Sequence, residues 1–198
     1  MTMGMRGVVP AVAVAVLTVL LGACAGPPEV RPAPPGAAAV ADGAPDCLAD
    51  EVLVALTLAE PSGDDVKRPA PEVGSVPPGF DAVRVVECRT PGMTLSMSPT
   101  STVAATPAAP VVVVEVVLIG DLRPLLVALA RQTDPISKDL ACPAMFEFKP
   151  QIYLVDGQGR TVRPQWPVDA CGFLHDGALA ALAGLTEIRS IERVVDEG

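Results

Sequence analysis

Five cysteines and a single histidine are the residues of this 198-residue chain best suited to covalent or metal chemistry. Four of them, Cys47, Cys88, Cys142 and Cys171, could form disulfides, ligate a metal or act as redox-active thiols. No Cys-x-x-Cys pair occurs and the only histidine is His175, so neither a zinc pattern nor a thioredoxin-like pair is present. The pattern therefore favours two structural disulfides and predicts no metal site and no cofactor.

Nucleophilic or acid–base catalysis would have to use His175, because no other histidine exists. The Gly-x-Ser-x-Gly motif that presents a catalytic serine is missing from the sequence. His175 precedes Asp176 at the expected start of a helix, where an exposed or capping role is the commoner one. We therefore predict no catalytic residues and favour a non-catalytic protein over an enzyme.

The first 23 residues have the organisation of a signal peptide. Arg6 supplies a positive charge, and residues 8–21 are almost entirely apolar. This run is shorter than the roughly 20 apolar residues that a membrane-spanning helix needs. It is followed directly by Leu21-Gly22-Ala23-Cys24.

Those four residues resemble the lipobox of bacterial lipoproteins, in which a leucine and two small residues precede an invariant cysteine. The resemblance implies that the Cys24 sulfur receives a diacylglycerol, with acyl chains such as palmitate, and that a peptidase cuts before Cys24. Two acyl chains give durable membrane attachment. The chain resembles uncharacterised exported lipoproteins of GC-rich bacteria, which implies a lipid-anchored protein on the extracytoplasmic face of the cell membrane.

Composition divides the rest of the chain into a tether and a domain. Residues 24–46 begin with the lipidated cysteine and continue as a Pro/Ala-rich stretch without an apolar period, which is typical of a spacer. Residues 47–198 are enough for a single domain. Within it, residues 61–79 and 90–110 are rich in Pro, Gly, Ser or Thr and predict mobile loops.

The hydrophobic patterns predict an α+β fold, a mostly antiparallel sheet with two short helices in a single disulfide-bridged domain. Helices are expected after Asp121 and after Asp176, each of which could cap a helical apolar pattern. Strands are expected at residues 51–60, 80–89, 111–120, 147–155, 160–166 and 187–195.

The order of these strands suggests a pairing of the cysteines. Antiparallel pairing of the first two predicted strands brings Cys47 close to Cys88. A two-residue hairpin turn at Asp156-Gly157 places Cys142 opposite Cys171. We therefore predict the bridges Cys47–Cys88 and Cys142–Cys171, each stabilising the domain by about 4 kcal/mol on the loop-entropy model.

Five of the six aromatic residues fall between residues 146 and 173. Tyr153 and Trp166 are candidates for a stacking platform that binds a sugar or a peptide. The alternative is that both pack in the core, and we favour it because large apolar side chains are scarce in this chain.

The formal charge of the chain is −9. An acidic surface repels nucleic acid, which is therefore not an expected partner. The expected partners are the membrane, through the lipid on Cys24, and an envelope protein or cell-wall ligand. The sequence thus predicts a binding or scaffold module at the cell envelope. Two alternatives remain, an accessory subunit of an envelope transporter or sensor and an enzyme acting on the cell wall.

Overall fold

The computed structural model describes residues 36–61, 66–91, 110–135 and 140–195. The predicted signal peptide, Cys24 and most of the predicted loop 90–110 lie outside these ranges. The chain divides into two units, Met1–Val30 and Arg31–Gly198, and every described residue belongs to the second unit.

One five-stranded antiparallel sheet forms the centre of the fold, with strand order β4-β3-β1-β2-β5. Its strands are β1 (Ala82–Arg89), β2 (Val112–Ile119), β3 (Gln151–Asp156), β4 (Thr161–Val162) and β5 (Thr186–Val194). The described helices are α1 (Asp50–Ala55), α2 (Arg123–Leu129) and α3 (Ala178–Ala183). The predicted α+β class is confirmed, with three helices in place of the two predicted.

The additional helix, α1, replaces the strand predicted at residues 51–60, and that prediction was wrong. Ala49, Val52 and Leu53 are buried and Leu56 packs beside them. Their spacing of three and four residues is that of one helical face. The alternation of Val and Leu suggested a strand, but the buried residues follow the helical period.

Helices cover both faces of the sheet. Since neighbouring residues on a strand point to opposite faces, adjacent residues of one strand pack against different helices. Val85 belongs to a cluster that contains Leu125 of α2 and Leu182 of α3. Val86, the next residue, belongs to a second cluster that contains Val52 of α1. The β-branched segments predicted at 80–89 and 111–120 thus form interior strands with two buried faces, for which such residues are well suited.

The edge of β4 is covered by chain that the sequence assigned to the tether. The Ala41 N–H donates to the Thr161 carbonyl at 2.9 Å, and the Ala38 N–H donates to the Ser75 carbonyl at 2.8 Å. Ala38 is buried in the same cluster as Val85. Residues 37–41, assigned to the tether by the sequence, therefore pack against the domain.

Residues 66–79, assigned to a mobile loop, take part in the same edge. Gly74 bridges to Pro164 and Ser75 bridges to Ala37, both in parallel orientation. The Gln165 N–H also donates to the Gly74 carbonyl at 2.8 Å. Pro164 has no N–H group and cannot donate a backbone hydrogen bond at this edge. The segment has no helix or strand of its own, yet its backbone forms hydrogen bonds on either side of that position.

The hairpin of β3 and β4 lies at the sheet edge, as predicted, but its turn is longer than expected. Leu154 pairs with Val162 and Val155 pairs with Thr161, so residues 157–160 separate the two strands. The two-residue turn at Asp156-Gly157 was therefore wrong. The Asp156 carboxylate accepts the N–H groups of residues 158 and 160, each at 2.9 Å, and these bonds stabilise the longer turn.

In the part of the chain that the structure describes, no helix is both long and apolar enough to cross a bilayer.

The close approach of Gly74 to the N-terminal segment yields a test of the docked edge. A Cβ at Gly74 would clash with the Gly36 carbonyl and lie 2.6 Å from the Ala38 nitrogen. We expect Gly74→Ala to displace this segment and to speed amide exchange at Ala38 and Ala41 about tenfold or more, measured by hydrogen–deuterium exchange.

Gly36→Ala is the matched control, because a Cβ there meets nothing within 4 Å. It should leave exchange at both amides unchanged. Full protection of both amides in Gly74→Ala would contradict the close approach of Gly74 to residues 36–38.

Candidate binding surface

The structure contains the two disulfides with the predicted pairing, Cys47–Cys88 and Cys142–Cys171, each with a Cα–Cα distance of 5.4 Å. The geometric reasons differ from those expected. Cys47 precedes a helix, so its bridge joins the α1 region to β1 across the face of the sheet. Cys142 and Cys171 lie in irregular segments rather than at the open end of a continuous hairpin.

The two bridges also differ in environment. Cys47 and Cys88 are each only 2 % exposed and belong to the cluster beneath α1. Cys142 is exposed and Cys171 is partly exposed. The first bridge is therefore part of the core, whereas the second fastens surface segments to each other.

Tyr153 and Trp166 do not form a stacking platform, because both are buried and they lie in different clusters. The Tyr153 hydroxyl donates to the Asp46 carbonyl at 2.8 Å. The Trp166 indole N–H donates to the Pro150 carbonyl at 2.7 Å. Each ring packs in the core and its single polar group is satisfied by backbone, which is the alternative that the sequence analysis favours.

A buried arginine lies beside Tyr153. The Arg163 guanidinium carbon is 6.0 Å from the centre of the Tyr153 ring, and Arg163 is 7 % exposed. Its guanidinium also lies 3.4 Å from the Pro71 carbonyl and 3.4 Å from the Gln151 side-chain oxygen. Burial lowers the pKa of Arg163, while burial raises the pKa of Tyr153 to about 12 although Arg163 opposes that rise.

His175 occupies the surface near α2. One of its ring nitrogens lies 3.1 Å from the Gln132 carbonyl oxygen, and the residue is partly exposed. Asp176 is exposed but does not cap α3, whose N-cap is Gly177 in a left-handed conformation. His175 is thus positioned by a backbone carbonyl. Among the described residues, no group of three or more His, Cys, Asp or Glu side chains is arranged to hold a metal ion.

A pocket of about 320 Å³ lies beside the Cys47–Cys88 bridge. Two ion pairs line it: Arg68 with Asp46 at 2.9 Å, and Arg193 with Glu115 at 3.2 Å. Each arginine in the pocket therefore already has a carboxylate partner. A charged ligand would have to displace one of these pairs, so the pocket is a poor candidate for a binding site.

A more distinctive surface precedes β3. Four large apolar side chains are exposed there and form what we call the apolar strip: Leu140 at 47 %, Met145 at 73 %, Phe146 at 80 % and Phe148 at 50 %. The two phenylalanine rings touch edge to face, with their centroids 5.0 Å apart. Exposed apolar clusters of this kind commonly mark interaction sites.

The backbone of the strip is fixed although it has no regular secondary structure. Three attachments join it to residues 166–174: Cys142 to Cys171 by the disulfide, Glu147 to the Leu174 N–H at 2.6 Å, and Pro150 to the Trp166 indole. Residue 147 lies between the two phenylalanines. The Glu147 carboxylate accepts the N–H of the buried Leu174, whereas the Phe146 and Phe148 rings on either side of it are exposed.

Sequence reasoning missed the apolar strip even though it noted the aromatic cluster around it. The signal was the Phe-Glu-Phe alternation at residues 146–148, which predicts two aromatic rings on one side. Exposure could not be read from this pattern, since it depends on which side the carboxylate finds a hydrogen-bond donor.

Comparison of the chain with protein-family models, with curated proteins and with solved structures finds no match.

The buried tyrosine gives a pH-dependent prediction. Because the pKa of Tyr153 in the folded protein is about 12, against 10.0 for an unperturbed tyrosine, its neutral form stabilises the fold. That contribution is complete below pH 10 and is lost as the pH rises from 10 to about 12. We expect the free energy of unfolding to fall by about 2–3 kcal/mol over this range.

Tyr153 is the only tyrosine, so tyrosinate absorbance reports on it directly. We expect a titration midpoint at about 12 in the folded protein and at about 10 in denaturant. In Tyr153→Phe, the free energy of unfolding should not show the part of its decrease above pH 10 that ionisation of Tyr153 causes. A midpoint near 10 in the folded protein would contradict the buried position.

Proposed function

We propose that this protein is an exported lipoprotein, held on the extracytoplasmic face of the cell membrane by a diacylglycerol on Cys24, and that its domain is a non-catalytic binding or scaffold module of the cell envelope. The proposal rests mainly on the positions and pairing of the five cysteines. Two disulfides take up four of them, which agrees with an oxidising compartment. The fifth is Cys24, the last residue of the lipobox.

The stability that the disulfides add fits such a location. Their loops span 41 and 29 residues, so each bridge is worth about 4 kcal/mol on the loop-entropy model. That is a large share of a typical net stability of about 5–15 kcal/mol. In a reducing cytosol this contribution would be lost.

The binding role is supported by the apolar strip. A disulfide and two hydrogen bonds attach its backbone to residues 166–174, so less backbone conformational entropy remains to be lost on binding. The exposed Phe146 and Phe148 rings, in edge-to-face contact, present a joint apolar surface to water. The proposed module therefore binds through this surface rather than through a deep pocket.

The lipid anchor is tested by Cys24→Ser in cells fed a labelled fatty acid. We expect the variant to lose the label and to leave the membrane fraction, because serine offers no thiol for acylation. In the native protein, N-terminal analysis should show that the mature chain begins at Cys24.

The matched control replaces the cysteines of the second bridge together, Cys142→Ser with Cys171→Ser. This variant removes two thiols but leaves the lipobox intact, so it should retain both the label and membrane attachment. If Cys24→Ser remained labelled and attached, the proposed anchor would be wrong.

A further inference from the structure

The charge of the apolar strip indicates which kind of surface it can contact. The only ionisable side chain between its two phenylalanines is Glu147, and the carboxylate of that residue is bound to the Leu174 N–H. Contact through the strip therefore buries apolar side chains without removing a free charge from water, which would be costly. The surface that it fits is apolar.

The size of the strip is the second guide. Four partly exposed side chains offer roughly 400 Å² of apolar area. A stable protein interface buries about 800 Å² on each partner. The strip alone is therefore too small for a lasting dimer or a stable protein complex. A lipid bilayer sets no such minimum, provided that another attachment holds the domain close to it.

The proposed anchor supplies that second attachment. Cys24 is twelve residues before Gly36, where the described domain begins. Fully extended, this length of chain spans at most about 40 Å. The domain therefore stays close to the bilayer, and weak contacts between the two act as intramolecular ones.

We infer that the apolar strip docks on the bilayer that carries the lipid anchor, with Met145, Phe146 and Phe148 inserted among the lipid headgroups and the first acyl carbons. This inference rests on the proposed lipid anchor. The backbone stays outside the hydrocarbon, because the segment lacks regular secondary structure and its polar groups need water or protein partners. Docking depends on apolar insertion rather than on anionic lipid, since the chain has a formal charge of −9.

The test uses the mature lipidated protein reconstituted into phosphatidylcholine vesicles whose acyl chains carry bromine, a quencher of tryptophan fluorescence. In F146W the new indole lies in the strip. In I188W, the matched control, it replaces a residue on β5 that is 57 % exposed. Trp166 is a background common to both variants and is buried in the core.

We expect bromine to quench the added fluorescence of F146W and to leave that of I188W unchanged. Adding Phe148→Ser to F146W should lower the ratio of docked to undocked protein about tenfold, because one apolar side chain is withdrawn from the bilayer. Replacing part of the phosphatidylcholine by anionic lipid should not strengthen the quenching.

The outcomes separate the two proposals. Failure of the native protein to stay with the vesicles would overturn the anchor itself. If the protein stays with the vesicles but F146W is not quenched, the anchor stands and the docking inference is wrong. Equal quenching of F146W and I188W would also overturn it, because the strip would then have no preferred contact. Unquenched F146W in a particle of twice the monomer mass would point to a second copy of the chain as the occupant.

Discussion

Burial of the interior strands β1 and β2 on both faces is the constraint on which the fold depends. The buried apolar residues of β1 and β2 are mostly valine, so each removes less apolar area from water than a larger side chain would. Helices must therefore cover both faces, and specific fastenings supplement the packing. The Cys47–Cys88 bridge joins the α1 region to the central strand β1. On the same face, the Tyr153 hydroxyl holds the chain at Asp46 just before that bridge.

Strands β1 and β2 could be predicted because their β-branched residues favour extended backbone. The segment at 51–60 was mispredicted because Val and Leu alternate there while the apolar residues also match a helical face. Tertiary packing decides such cases: Val52 and Leu53, adjacent in sequence, are both buried against the sheet. On a strand, neighbours like these would point to opposite faces.

The cysteine pairing was predicted through strand geometry that does not occur. Its agreement with the structure has a simpler physical basis. Pairing the cysteines in chain order closes loops of 41 and 29 residues, which cost less entropy than the longer loops of the other two pairings. The candidate site was harder to predict. Tyr153 and Trp166 have polar atoms that backbone carbonyls satisfy in the core, whereas Phe146 has no polar atom and its exposure follows from tertiary packing that the sequence does not show.

Both edges of the sheet are protected against pairing with a further strand, which leaves contact through exposed side chains as the mode of binding. Residues 37–41 and 74–75 cover the edge at β4. At the other edge, β5 carries charged residues along its length, and its pairing with β2 shifts register between Val117 and Leu118. Charges and bulges on an edge strand oppose the addition of another strand. With both edges protected in these ways, the exposed phenylalanines offer an apolar surface that needs no backbone pairing.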